Sequence, residues 1–153
     1  MRTRALALSV AALATVSIGL AGCSSTEATP PAATAAAQGP AAPVTAPSAP
    51  ERVDAVRFAE VVASPGVTIL DVRTPEEFAA GHIEGAINYN VEGPDFSAQI
   101  AGLDPAGTYA VYCRSGNRSQ PAVAAMAQAG IPGIYELESG IIGWDEAGLP
   151  TVS

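Results

Sequence analysis

The sequence predicts an α/β domain in which a mostly parallel sheet carries helices on both faces. Three observations point there. Short apolar runs alternate with amphipathic stretches along residues 51–153. The runs are continuous rather than alternating, as in strands buried on both sides. The connecting stretches carry helix-start and helix-stop signals, and strands that alternate with helices build parallel sheets.

Taken in order, "VDAVRFAEVVA" places Val53, Val56, Phe58, Val61 and Val62 at helical spacing, with Asp54 as N-cap. Ser64-Pro65-Gly66 ends it, and "VTILDV" reads as a buried strand. Thr74-Pro75-Glu76-Glu77 opens a second helix, with Thr74 as N-cap, Pro75 first and Glu77 at the capping-box position. Gly81 closes it. "GAINYN" is a second strand, "DFSAQIAGL" a short helix capped by Asp95, and "TYAVYC" a third strand after the turn "DPAG". "SQPAVAAMAQAG" is a helix ending at Gly130, "GIYELE" a fourth strand, and "IIGWDEAG" a last short helix. There is no internal repeat.

The N-terminal third has a different character. Residues 1–22 read as an export signal: Arg2 and Arg4, an apolar run from Ala5 to Leu20, then small residues. The run of about 16 residues is short for a membrane span, which takes roughly 20. It ends in Leu20-Ala21-Gly22-Cys23, which resembles a bacterial lipobox, so Cys23 is expected to carry lipid and anchor the chain. An ordinary secretory signal with an incidental Cys23 is the plainer alternative. Residues 23–50 are Ala, Pro, Thr, Ser and Gly almost throughout, with six prolines and Glu27 as the single charge. Such a stretch buries too little apolar surface to offset its ordering entropy, and reads as an extended tether. The expected location is extracytoplasmic, with residues 51–153 as the single folded domain.

The chain holds seven arginines, no lysine and fifteen acids, a net charge of −8. Without Arg2 and Arg4, five arginines face fifteen acids, a balance of −10. That disfavours nucleic acid and anionic lipid headgroups as electrostatic partners. No metal or cofactor is expected.

The two cysteines are Cys23 and Cys113. A bridge between them would fold the tether back, so Cys113 stands as a free thiol. It lies at the end of a strand, before "RSGNRS" and a helix. In parallel sheets, ligands gather outside the carboxyl ends of the strands. A tight loop there turns successive N–H groups inward, and the following helix adds its positive end. Gly116 and Asn117 suit positive-φ positions. A thiol so placed is expected to be largely thiolate and nucleophilic. Arg118 can curl back to complete the ring or steady the loop. Arg114 points outward and draws anions, or is merely solvated. The plain alternative is a packed cysteine followed by a polar turn. Asp71 and Arg73 end another strand on the same rim and read as a supporting ion pair rather than a substrate contact. His82 reads as a turn residue and Trp144 as core.

"LDVRTPEEFAAGHIEGAINYN", "VYCRSGNRS" and "LESGIIGWDEAGLP" resemble, in order and spacing, the signature segments of a single-domain rhodanese. The resemblance covers nearly all of residues 51–153. It implies a five-stranded sheet and a sulfurtransferase in which Cys113 takes a sulfane sulfur and carries it as a persulfide. The loop from Arg114 through Ser115, Gly116 and Asn117 to Arg118 would hold the persulfide anion. The partners implied are a small anionic donor such as thiosulfate and a thiol or cyanide acceptor. Glu84 departs from the pattern, standing where proline is common.

Two other classes use similar parts. Thiolate phosphatases and arsenate reductases place five residues between cysteine and arginine; here four intervene. They also need a general acid for an alkoxide leaving group, and none is obvious. A non-catalytic binding or sensor module would keep the fold without needing the thiol. Disulfide exchange would want a second cysteine in the domain, and there is none.

Overall fold

A computed structural model describes residues 43–153. The proposed signal, Cys23 and most of the tether lie outside the described residues.

Five strands form one sheet: β1 (Glu51–Val53), β2 (Val67–Asp71), β3 (Ile87–Asn88), β4 (Thr108–Tyr112) and β5 (Ile134–Leu137). Their order is β1-β5-β4-β2-β3. Every pairing is parallel, so the sheet is wholly rather than mostly parallel. Five helices alternate with the strands: α1 (Ala55–Val62), α2 (Pro75–Ala80), α3 (Phe96–Ala101), α4 (Ser119–Gln128) and α5 (Gly140–Glu146).

Side-chain alternation divides the core between the two faces of the sheet. Phe58 and Val61 of α1 and Ile141 and Trp144 of α5 pack with Ala110, Tyr112 and Leu137. Phe96 and Ile100 of α3 and Ala122, Val123 and Met126 of α4 pack with Leu70, Val111, Cys113 and Ile134. The edges of Phe58 meet Tyr112 and Trp144 at about 6 Å. Trp144 is therefore core, and its indole N–H donates to Pro150 O at 2.9 Å.

The helix starts follow local chemistry. Asp54 accepts from Arg57 N at 2.8 Å. Thr74 and Glu77 form the reciprocal capping box, with Pro75 at the first turn. Asp95 departs from expectation. Its backbone is already helical, at φ −89° and ψ −9°, and its side chain makes no cap bond. A capping residue normally sits in the extended region, where its oxygen can reach back to the first free N–H groups.

The sequence pattern carries the first helix back to Val53, but Val53 ends β1. Only one of the three residues of β1 is buried. Such an edge strand has too little apolar pattern to announce itself.

Val44 and Thr45 touch the domain. Tyr135 Oη donates to Thr45 O at 2.8 Å, and Val44 packs against the α1/α5 core. His82 stacks on Phe78 with ring centroids 3.8 Å apart, and its backbone pairs with Val152. Among the described residues, no helix is long and apolar enough to cross a membrane.

Candidate active site

Because the strands are parallel, β2, β4 and β5 end on one rim, bringing Asp71, Cys113 and Glu138 to the same edge. Cys113 follows β4, is free, and is 1% exposed. The loop from Arg114 to Arg118 then bends the chain into α4.

Two glycines let this loop sit where it does. Gly116 has φ +80° and lies against the end of β5; a Cβ there would fall 1.8 Å from Glu138 O. Gly140, at the start of α5, would place a Cβ 2.4 Å from Arg114 C and 2.5 Å from Ser115 N. Two backbone bonds fix the same contact: Ile141 N donates to Cys113 O at 2.9 Å, and Ile142 N to Arg114 O at 3.2 Å.

The cysteine sulfur faces the N–H groups of Ser115, Ser119 and Gly116 and the Ser119 hydroxyl, whose Oγ is 3.5 Å away. Burial pushes the thiol up, but these hydrogen bonds outweigh it, and the net value lies below that of an ordinary cysteine. This is an anion cradle made chiefly of backbone at the start of a helix.

The other loop residues divide. Arg114, Ser115 and Asn117 are exposed, and Asn117 Nδ2 donates to Ser115 Oγ at 3.3 Å. Arg118 makes a bidentate pair with Glu77 at 2.7 and 2.8 Å and reaches Glu92 at 3.3 Å. It ties the loop's end to α2, its guanidinium held by two carboxylates. Arg118 in turn holds the Glu77 carboxyl down at about 2, against burial and with help from the Thr74 N–H.

Asp71 and Arg73 pair with each other. Arg73 Nε lies 2.9 Å from both Asp71 oxygens, Nη2 lies 2.5 Å from Oδ2, and Nη2 also donates to Gly81 O at 2.7 Å. Leu70 and Val72 belong to the Cys113 face, so Asp71 points to the other one, beside Tyr112. Among the described residues there is no cluster of metal-ligating side chains.

Two residues that the sequence pattern does not single out lie close behind the thiol. Ser119 Oγ donates to Glu136 Oε1 at 2.7 Å, and Glu136 Oε2 is 3.2 Å from Arg52 Nε. Both Ser119 and Glu136 are buried. The available signal was Glu136 itself, one charge at an inward position of the apolar run "GIYELE". Arg52 gives no such signal, because it sits on the exposed edge strand.

A buried free thiol of lowered value, under a loop at the carboxyl edge of a five-stranded parallel sheet, is an arrangement in which a thiolate can act. The family model for the rhodanese-like domain matches residues 54–147, and the chain belongs to that family. A thiosulfate sulfurtransferase of Arabidopsis thaliana chloroplasts is 40% identical over 96 residues, covering 56% of this chain and 80% of that protein. Thiosulfate sulfurtransferase GlpE of Pseudomonas aeruginosa is 33% identical over 96 residues, covering 63% and 80%. An uncharacterized protein of Synechocystis is 40% identical over 88 residues, covering 56% of this chain but only 47% of that protein's length. The crystal structure of a rhodanese-related protein from Thermoplasma volcanium superposes with a TM-score of 0.60 at 34% identity, covering 67% of this chain and 97% of that one. These relatives support a sulfurtransferase-like enzyme.

Proposed function

We propose that the chain moves a sulfane sulfur from a small anionic donor such as thiosulfate to a thiol or cyanide acceptor, through a persulfide on Cys113. One observation carries this reading: the Cys113 sulfur faces the N–H groups of Ser115, Gly116 and Ser119 with its thiol value lowered despite burial. Lowering the thiol value makes the nucleophile available near neutral pH.

In the first half-reaction the Cys113 thiolate attacks the outer sulfur of thiosulfate. The new S–S bond forms as the old one breaks, and sulfite leaves with the bonding pair. Sulfite is weakly basic, so no general acid is required. The persulfide's negative outer sulfur is stabilised by the same loop donors. In the second half-reaction an acceptor thiolate or cyanide attacks that outer sulfur, and the Cys113 thiolate departs, a ping-pong cycle. Exposure of 1% favours attack on a single projecting atom, as thiosulfate offers, over a bulky phosphoester. Arg114, exposed at the loop's mouth, draws the anionic donor.

The purified protein is expected to gain the mass of one sulfur atom at Cys113 on incubation with thiosulfate, and to lose it to cyanide with release of thiocyanate. Prior alkylation of Cys113 blocks both. Hydrolysis of p-nitrophenyl phosphate without any sulfur adduct would favour the phosphatase reading. An intact free thiol with neither activity would favour a binding module.

We also propose that the domain works outside the cytoplasm, anchored by lipid on Cys23. The support is residues 2–23: two arginines, the apolar run, and Leu-Ala-Gly-Cys. Radiolabelled fatty acid fed to the expressing bacterium should label the protein, and Cys23→Ser should not be labelled. Label that persists in the variant removes this proposal.

A further inference from the structure

Behind Cys113 lies a chain of side chains that the sulfur-transfer steps do not use. Cys113 Sγ is 3.5 Å from Ser119 Oγ, Ser119 Oγ is 2.7 Å from Glu136 Oε1, and Arg52 Nε is 3.2 Å from Glu136 Oε2. The cysteine, serine and glutamate are buried, and only Arg52 reaches solvent.

A serine hydroxyl has one proton to give. That proton goes to the Glu136 carboxyl at 2.7 Å, the shorter and stronger of the two contacts, rather than to the sulfur at 3.5 Å. Ser119 Oγ then accepts from the Cys113 thiol, and it can favour the thiolate only by turning its proton from the carboxylate to the sulfur. Once Cys113 ionises, two buried anions compete for a single hydroxyl proton. Either Glu136 gains a proton of its own, or one of its oxygens loses its donor. Two groups joined in this way titrate as a pair.

We propose that Cys113, Ser119 and Glu136 share protons along this chain, so that Glu136 sets the ionisation of the nucleophile through the Ser119 hydroxyl. The S–H bond breaks as a new Oγ–H bond forms. The former Oγ–H bond breaks as an O–H bond forms on Glu136 Oε1. The negative charge moves from carboxylate to sulfur, and no proton enters or leaves the site. The protons return along the same path when the thiol is restored. Glu136 is a positioning residue, since it touches the reacting sulfur only through Ser119.

No other charged group displaces this account. Arg118 is held by Glu77 and Glu92, Arg114 and Glu138 are exposed, and α3 and α4 carry no charge. Asp71 and Arg73 pair with each other on the opposite face of the sheet. Arg52 anchors the carboxylate, and its Nη2 also donates to Glu138 O at 3.2 Å.

The inference rests on Cys113 being the reacting sulfur. Its test reads the thiol directly, through the pH dependence of alkylation by iodoacetamide. Glu136→Gln is isosteric and removes the competing anion. It is expected to lower the thiol midpoint by about one pH unit. In a Ser119→Ala background the same change should shift the midpoint by less than half as much, because the connecting hydroxyl is gone. Unchanged alkylation in Glu136→Gln overturns the proposal. An equal shift in both backgrounds also overturns it, since charge repulsion without the hydroxyl would then suffice. If Glu136→Gln fails to fold, Arg52→Gln at the exposed end replaces it. Loss of that cation should raise the midpoint, again less in Ser119→Ala, and no change overturns the proposal. Coupling without any thiosulfate turnover would count against the sulfurtransferase reading alone.

Discussion

Gly116→Ala is expected to lower sulfur transfer by about 100-fold and raise the Cys113 thiol midpoint, while the protein remains folded. The added Cβ would stand 1.8 Å from Glu138 O and 2.8 Å from Glu138 C. That backbone cannot yield. Glu138 N donates to Val53 O at 3.1 Å, and its carbonyl accepts from Arg52. The loop must therefore move, and a non-glycine residue at φ +80° costs roughly 1–2 kcal/mol besides. Movement takes the Gly116 N–H away from the sulfur, and removing one donor from such a cradle costs about 10²–10³ in rate. Gly130→Ala is the control. Its φ is +86°, but a Cβ there meets nothing within 4 Å. It should cost roughly 1–2 kcal/mol in stability, the same backbone penalty, and leave kcat/KM alone. Wild-type turnover and an unchanged thiol titration in Gly116→Ala would mean that this loop does not hold the sulfur's charge.

How much of the fold and the site is legible in the sequence follows from where the interactions lie along the chain. The strands β2, β4 and β5 announce themselves because burial on both faces demands continuous apolar runs, whereas β3 is a two-residue edge with Ile87 exposed. The caps at Asp54 and Thr74 are legible because their partners lie three residues away. The thiol at a strand end, followed by a glycine-containing turn and a helix, is likewise local. What escapes is non-local. The partners of Arg118, Glu77 and Glu92, lie 41 and 26 residues off, and no spacing rule links them. The expectation that Arg118 closes the ring or steadies the loop leaves two options open, and the geometry puts its guanidinium on α2. Arg52 approaches the loop only because β1 adds to the far side of β5, a pairing invisible in three mostly exposed residues. The Asp95 cap fails for a conformational reason: residue type favours it, while the turn before α3 holds its backbone helical.

Arg73→Ala is expected to cost about 3–5 kcal/mol of stability, because it strands a carboxylate that has no exposure at all. Asp71 is satisfied on both oxygens by the Arg73 guanidinium and by the Arg73 N–H at 2.9 Å. The same guanidinium lies 5.7 Å from the Tyr112 ring centre and bonds Gly81 O, so its loss also frees the end of α2. For a domain of this size, that destabilisation lowers Tm by more than about 10 °C. Asp71→Asn should cost less, since a neutral amide is cheaper to bury than an unpaired charge. Asp71→Asn combined with Arg73→Met should recover part of the Arg73→Ala loss, because the interior then holds no lone ion. The pair faces away from Cys113, so kcat/KM of the folded fraction, measured well below Tm, should change by less than about threefold. A fall in kcat/KM with Tm preserved would instead make Arg73 a substrate contact. The two outcomes separate the roles that residues on this rim can play. Gly116 acts on the sulfur through a moved N–H, whereas Arg73 acts on the fold through a charge left alone.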